Sequence, residues 1–170
     1  MLKDPNTTAT PLEISASTSL LLNIQTDMST SADMLNTIES VRAQVQTLSA
    51  QVAANPAMAD VRAGGDSLEK RLTTTEGNLI DLRMTGRGQD EVRYPARIGA
   101  QLNYLAGGIA ASDFTPTAQQ RSVDQLLAKE VKDTRSDLEA VLKNDLGKFN
   151  ALLRTKGLKP IEASLGGIVF

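Results

Sequence analysis

Thr10-Pro11-Leu12-Glu13 opens the stretch on which the fold turns. A threonine hydroxyl can accept a backbone N–H at a helix start, and proline is preorganised for the first helical position. A glutamate three residues past the threonine can bond back to it, completing a capping box. Behind this start, Leu21, Ile24, Met28, Leu35, Ile38, Val45 and Val52 recur at three-, four- and seven-residue intervals, with Ser31, Arg42 and Ser49 as polar interruptions of the same seam. That heptad-like spacing predicts one helix over residues 11–54, roughly 66 Å long at about 1.5 Å per residue.

The same device, a small polar residue followed by proline, recurs at Asn55-Pro56 and Thr115-Pro116. Tyr94-Pro95 is a weaker version, because tyrosine offers no capping oxygen. The punctuation predicts a second helix over 56–84, with Met58, Val61, Leu68, Leu72, Leu79 and Leu82 facing inward. Gly64-Gly65 weakens its start but lets a neighbour approach closely. Thr85-Gly86-Arg87-Gly88-Gln89-Asp90 reads as a loop. A short third helix over 95–110 presents Ile98, Leu102, Leu105 and Ile109. A fourth, over 116–155, carries Val123, Leu127, Val131, Leu138, Val141, Leu142, Leu146, Phe149 and Leu153. Lys156-Gly157, with Pro160 beyond, closes it.

The chain is thus expected to be all-α, with a lead-in over 1–10, a helical bundle over 11–157 and a C-terminal tail over 158–170. In an up-down-up-down four-helix bundle, the short third helix would leave much of the fourth unpartnered. If the second and third helices form one broken leg, their summed length of about 44 residues matches the first and the fourth. An elongated antiparallel bundle of three long legs, the middle one interrupted near 85–94, is therefore expected, with the four-helix bundle as the alternative. The last residues, Glu162 to Phe170, suit either a disordered tail or a small added strand.

Composition narrows the chemistry. The 170 residues are 41% hydrophobic but only 3% aromatic, so the core is aliphatic. There is no His and no Cys, which removes the usual zinc, haem and di-iron ligands and any Ser-His or Cys-His nucleophile. No metal or cofactor is expected. The formal charge of −2 is spread in both signs, a pattern of a solvated surface and not of a nucleic-acid footprint. No apolar run is long enough to span a membrane.

Three motifs invite catalytic readings. Ser67-Leu68-Glu69-Lys70 has the serine–lysine spacing of penicillin-interacting enzymes, but the S-D-N and K-T-G elements that accompany it are absent. Gly86-Arg87-Gly88 lacks both the preceding strand and the closing Gly-Lys-Ser/Thr of a phosphate loop. Asp133, Asp137, Glu139 and Asp145 could supply a glycosidase pair, yet Lys129, Lys132, Arg135 and Lys143 interleave with them at helical spacing, as on a solvated face. Arg42, inside the first seam, is the single position singled out. Its guanidinium either snorkels at a bundle edge or pairs with an acid on another leg to fix register, a role that would make Arg42→Leu alter the oligomeric state.

Several stretches carry a family resemblance: Lys3-Asp4-Pro5; Ile38-Glu39-Ser40-Val41-Arg42-Ala43-Gln44-Val45; Gln89-Asp90 with Tyr94-Pro95-Ala96-Arg97-Ile98; and Leu102-Asn103-Tyr104-Leu105-Ala106-Gly107. Pro116-Thr117-Ala118-Gln119-Gln120, the run Asp145 to Leu153 and Gly157-Leu158-Lys159-Pro160-Ile161 continue it. Together they resemble the C-terminal helical module that follows the β-propeller in bacterial sortilin-type, BNR-like repeat proteins, often labelled glycosyl hydrolases. The resemblance implies that Lys3-Asp4-Pro5 ends a strand, that the parent protein is exported, and that this chain, which opens without a signal-peptide core, is part of it. The seam periodicity and the lack of catalytic side chains add the expectation of a non-catalytic structural or interaction module that packs on a propeller, on another protein or on a second copy. A glycoside hydrolase fragment, its active site in the propeller, is the alternative.

Overall fold

In the computed structural model, which describes residues 8–86, 88–112 and 114–170, helix α1 spans Pro11–Val52. The expectations attached to Lys3-Asp4-Pro5 and to Arg87 lie outside the described residues. The capping box at its start is formed: Thr10 Oγ1 accepts from the Glu13 amide at 3.3 Å, and the Glu13 carboxylate accepts from the Thr10 amide at 2.8 Å. After a 3₁₀ turn at Pro56–Met58, α2 runs over Ala59–Leu79. A one-turn α3 (Asp90–Arg93) and α4 (Ile98–Ala110) follow. α5 (Ala118–Ala140) then passes through a π-helical turn, Val141–Leu146, into α6 (Gly147–Thr155) without leaving the helical path.

The arrangement is a three-legged antiparallel bundle. α2 lies along the second half of α1, where a Cβ added at Gly65 would stand 3.1 Å from Val45 Cγ1. α4 takes over along the first half, so that Ser17 at the start of α1 reaches the Phe114 carbonyl beyond the end of α4. A Cβ at Gly99 would sit 3.3 Å from the Leu79 carbonyl oxygen, which places the two halves of the middle leg end to end. The third leg, residues 118–155, packs against both halves and against α1. Its core is aliphatic as composition requires: Ile24, Met34, Ile38, Leu68, Leu72, Leu79, Leu102, Leu127, Leu138, Leu142, Leu146 and Leu153 are fully buried. Removing each such side chain from water stabilises the fold by roughly 1.5–3 kcal/mol before entropy is counted.

The close approach expected at Gly64-Gly65 is present, since a Cβ on Gly64 would stand 3.0 Å from the Phe149 ring. The π turn has a cause in the third leg's sequence. Thr134, Leu138, Leu142, Leu146 and Asn150 are all buried and spaced four residues apart. Each such step overshoots a 3.6-residue turn by about 40°, and one wide turn restores the stripe to the core.

Several boundaries depart from expectation. α2 stops at Leu79 rather than near 84, because Ile80 turns extended and Asp81 Oδ1 accepts from the Arg83 amide at 3.1 Å, a local bond that competes with helix. Leu82 is consequently exposed. α4 begins three residues later than the Pro95 signal. The cap of α5 is Thr117, not Thr115: its hydroxyl accepts from the Gln120 amide at 3.1 Å and the Gln120 side chain accepts from the Thr117 amide at 2.9 Å. Along α1 the stripe is also broader than the predicted seam, with Leu20, Met34, Val41 and Leu48 buried and Met28 exposed.

Residues 162–170 contribute an antiparallel hairpin, β1 (Ser164–Leu165) and β2 (Ile168–Val169), joined by Gly166-Gly167. Both glycines have positive φ, 56° and 84°, as a two-residue hairpin turn demands. Ile161, Ala163 and Leu165 point into the bundle at strand period. Two amide side chains hold the segment by its backbone. Asn150 donates to the Ile161 carbonyl at 2.9 Å and accepts from its N–H at 2.8 Å. Gln44 does the same for Glu162, at 2.8 Å and 2.9 Å.

Candidate functional site

The break in the middle leg builds its own structure. Asp81 is buried, and its carboxylate accepts from Arg83 Nε at 2.8 Å and from a terminal guanidinium nitrogen at 2.7 Å. Arg97 Nε lies 3.8 Å from the same carboxylate. The hydrogen bonds from Arg83 hold the Asp81 carboxyl down to about 2, against the opposing effect of its burial. The Arg83 guanidinium in turn lies over the Tyr94 ring, 4.5 Å from its centroid. Farther along, Asp90 accepts from the Thr85 amide and hydroxyl at 2.6 Å and 2.8 Å. A segment that reads as a flexible loop is thereby tied at both ends.

This ordered break forms one end of an open groove of about 1030 Å³ between α4 and the start of α5. Its floor is made of small residues of α4 and its approach, Ala96, Ala100, Gly107 and Gly108. Tyr94 and Tyr104 both line it, and they are the chain's two tyrosines. Amide side chains from Gln101, Asn103, Gln119 and Gln120 complete the rim, and none of the described residues that line it is charged. Tyr104 is 86% exposed. The groove can take up apolar surface and form a few directed hydrogen bonds.

Arg42 sits away from the groove, at the contact of α1 with α2. Its guanidinium pairs with both oxygens of Glu76, one of them at 3.2 Å, and also reaches Thr73 at 3.4 Å and Glu69 at 3.7 Å. The Glu76 side chain is 2% exposed and that of Arg42 20%. The hydrogen bond to Glu76 raises the Arg42 pKa above its already high ordinary value, so the guanidinium stays charged. Residue reading alone picked out Arg42 but missed Glu76. The signal was available: Glu76 interrupts the stripe Leu68, Leu72, Leu79 just as Arg42 interrupts the stripe of α1.

The motifs with catalytic spacing are not brought together. Ser67 and Lys70 are exposed on α2. Gly86 and Gly88 adopt positive φ in the break. Asp133 pairs with Lys129 at 2.5 Å, Glu139 with Arg135 at 3.0 Å and Asp145 with Arg71 at 3.6 Å, while Asp137 is exposed. Among the described residues no helix is long and apolar enough to cross a membrane, and no three potential metal ligands cluster. A second, polar notch of about 450 Å³ lies between α1 and the hairpin, beside Asp33, Asn36 and Ser40. No protein-family model, no curated protein and no solved structure matches the chain.

Proposed function

We propose that the chain is a non-catalytic structural and interaction module, a rigid helical arm that docks against a propeller domain of a longer exported protein through the groove beside α4. The observation that carries this reading is Tyr104, an aromatic side chain 86% exposed on a groove whose described lining is uncharged, in a chain that is 22% charged. Tyrosine in such a setting brings large contact area at low entropy cost and is enriched where interfaces concentrate their binding energy. Three of the stretches on which the family resemblance rests also contribute to the lining: Tyr94 and Ala96, then Asn103, Tyr104, Leu105 and Gly107, then Gln119 and Gln120.

The test is a photo-crosslinking amino acid placed at Tyr104 in the protein encoded by the full reading frame, with adducts mapped by mass spectrometry. Adducts in a flanking propeller support the reading. Adducts confined to a second copy of this chain assign the groove to self-association instead, and their absence at every concentration removes the docking role. The hydrolase reading, in which carboxylates of this chain serve an active site completed by the propeller, makes a separate demand, since deleting residues 1–161 from the full protein would then abolish glycosidase turnover. Unchanged turnover excludes it.

A further inference from the structure

Residues 161–165 lie between α1 and the third leg as an added strand would, with bonded peptide groups and alternating side chains. Asn150 exchanges two hydrogen bonds with Ile161, at 2.9 and 2.8 Å, and Gln44 two with Glu162, at 2.8 and 2.9 Å. Thr37 Oγ1 donates to the Ser164 carbonyl at 2.8 Å. Each of these partners belongs to α1 or to the third leg. Ile161, Ala163 and Leu165 are part of the apolar core itself. If the strap lifts away, the cleft it leaves exposes apolar surface that must be covered again.

The connection that returns the strap to its own rod turns on one residue. The Gly157 amide donates to the Arg154 carbonyl at 3.1 Å and the Leu158 amide to the Leu153 carbonyl at 2.9 Å, which closes α6. Gly157 makes that turn at φ 71° and is exposed, with nothing within 4 Å of where a Cβ would stand. Just before it, Lys156 is pinned to the start of α2 by Asp60, 2.7 Å away. Just after, Pro160 biases Lys159 toward extended backbone. Straightened, residues 157–160 span about 13–14 Å, more than the roughly 8–10 Å between the axes of packed helices. A second rod lying alongside is within reach, and its cleft is identical. We propose that this cleft takes residues 161–170 of a second copy as well as its own, so that two chains trade straps in a reciprocal, two-fold dimer. Every bond and buried side chain of the strap is kept in the trade. The closed and traded forms differ in the conformation of 157–160 and in the entropy of association.

Light scattering and native-state hydrogen exchange on the whole chain test this. A β-branched residue at position 157 is strained in the left-handed turn but not in a straightened connection, and the strain is relieved twice per dimer. Gly157→Val is therefore expected to raise the dimer association constant by at least about thirtyfold. The wild type, refolded from urea at about 1 mM, is expected to yield the same dimer in smaller amount. In that wild-type dimer the amides of 157 and 158 are expected to lose protection by at least about tenfold, while those of Ile161 and Glu162 keep theirs. Tyr104→Ala is expected to leave the dimer fraction unchanged, which separates traded straps from association through the α4 groove. A folded Gly157→Val that stays monomeric overturns the proposal. If that variant fails to fold, a wild type that refolds wholly as monomer at about 1 mM overturns it. So does a dimer in which residues 157 and 158 stay as protected as in the monomer, or one that Tyr104→Ala abolishes.

Discussion

Replacing Arg42 by methionine keeps an unbranched apolar stem against α2 but removes the guanidinium from Glu76. That carboxylate, with a side chain 2% exposed, then has neither water nor a counter-charge. Breaking a buried pair from the side that strands the other charge costs about 3–5 kcal/mol. At about 2–4 °C per kcal/mol for a chain of this size, the melting temperature falls by roughly 6–20 °C. The reverse change is milder. In Glu76→Gln, the amide oxygen still accepts from Arg42, whose charge reaches solvent and Glu69, 3.7 Å away, so the expected loss is about 1–2 kcal/mol. Replacing both partners, Arg42→Met with Glu76→Leu, restores stability to about the wild-type level or above. Urea unfolding followed by circular dichroism, with an unchanged m-value, measures all three. The reasoning fails if Glu76→Gln proves costlier than Arg42→Met, or if Arg42→Met costs less than about 1 kcal/mol.

Two glycines of α2 make a matched test of packing against propensity. Gly64→Ala drives a methyl to within 3.0 Å of the Phe149 ring, and the expected overpacking of about 1–3 kcal/mol outweighs the gain in helix propensity; Gly77→Ala meets nothing within 4 Å and stabilises by about 0.5–1 kcal/mol in thermal melts. Asn150→Ala removes both hydrogen bonds to Ile161 at a buried position, costing about 2–4 kcal/mol and opening residues 161–165 to limited proteolysis. Asp81 gives the fold a pH dependence on the acid side. Its folded pKa of about 2 lies below the ordinary 3.8, so its contribution is complete above that value and disappears as pH falls toward 2. Carbon-13 titration of its carboxyl gives a midpoint near 2, and Asp81→Asn removes that part of the acid unfolding profile.

Capping and periodicity made the legs legible. Thr10, Pro11 and Glu13 fix a start that depends only on neighbours along the chain, and the lengths of the helices decide how they pair. Thr117 with Gln120 is an equally local signal, overshadowed by the proline between two threonines. The end of α2 was harder to read, because Leu82 keeps the apolar period while Asp81 breaks the helix through a side-chain bond. The groove had no signature at all: Tyr94, Tyr104 and Gln119 meet only after the break has folded and α5 has returned. Residues 161–170 were ambiguous because each strand of their hairpin is only two residues long, and the segment is held to the bundle by the side chains of Gln44 and Asn150 rather than by a larger sheet.

That last feature bears on how freely the C-terminal strap can vary. Gln44 and Asn150 grip peptide groups, which every sequence shares, and ask nothing of the side chains they hold. Only the inward positions Ile161, Ala163 and Leu165 are constrained by size, while Glu162, Ser164, Ile168 and Val169 face solvent. The grip also carries no charge, so added salt leaves it unscreened. The strap is thus a fixed socket for an exchangeable strand: foreign sequences that alternate small and aliphatic residues in this register would seat in it, and the outward positions are free to diverge or to be re-engineered without loosening the rod.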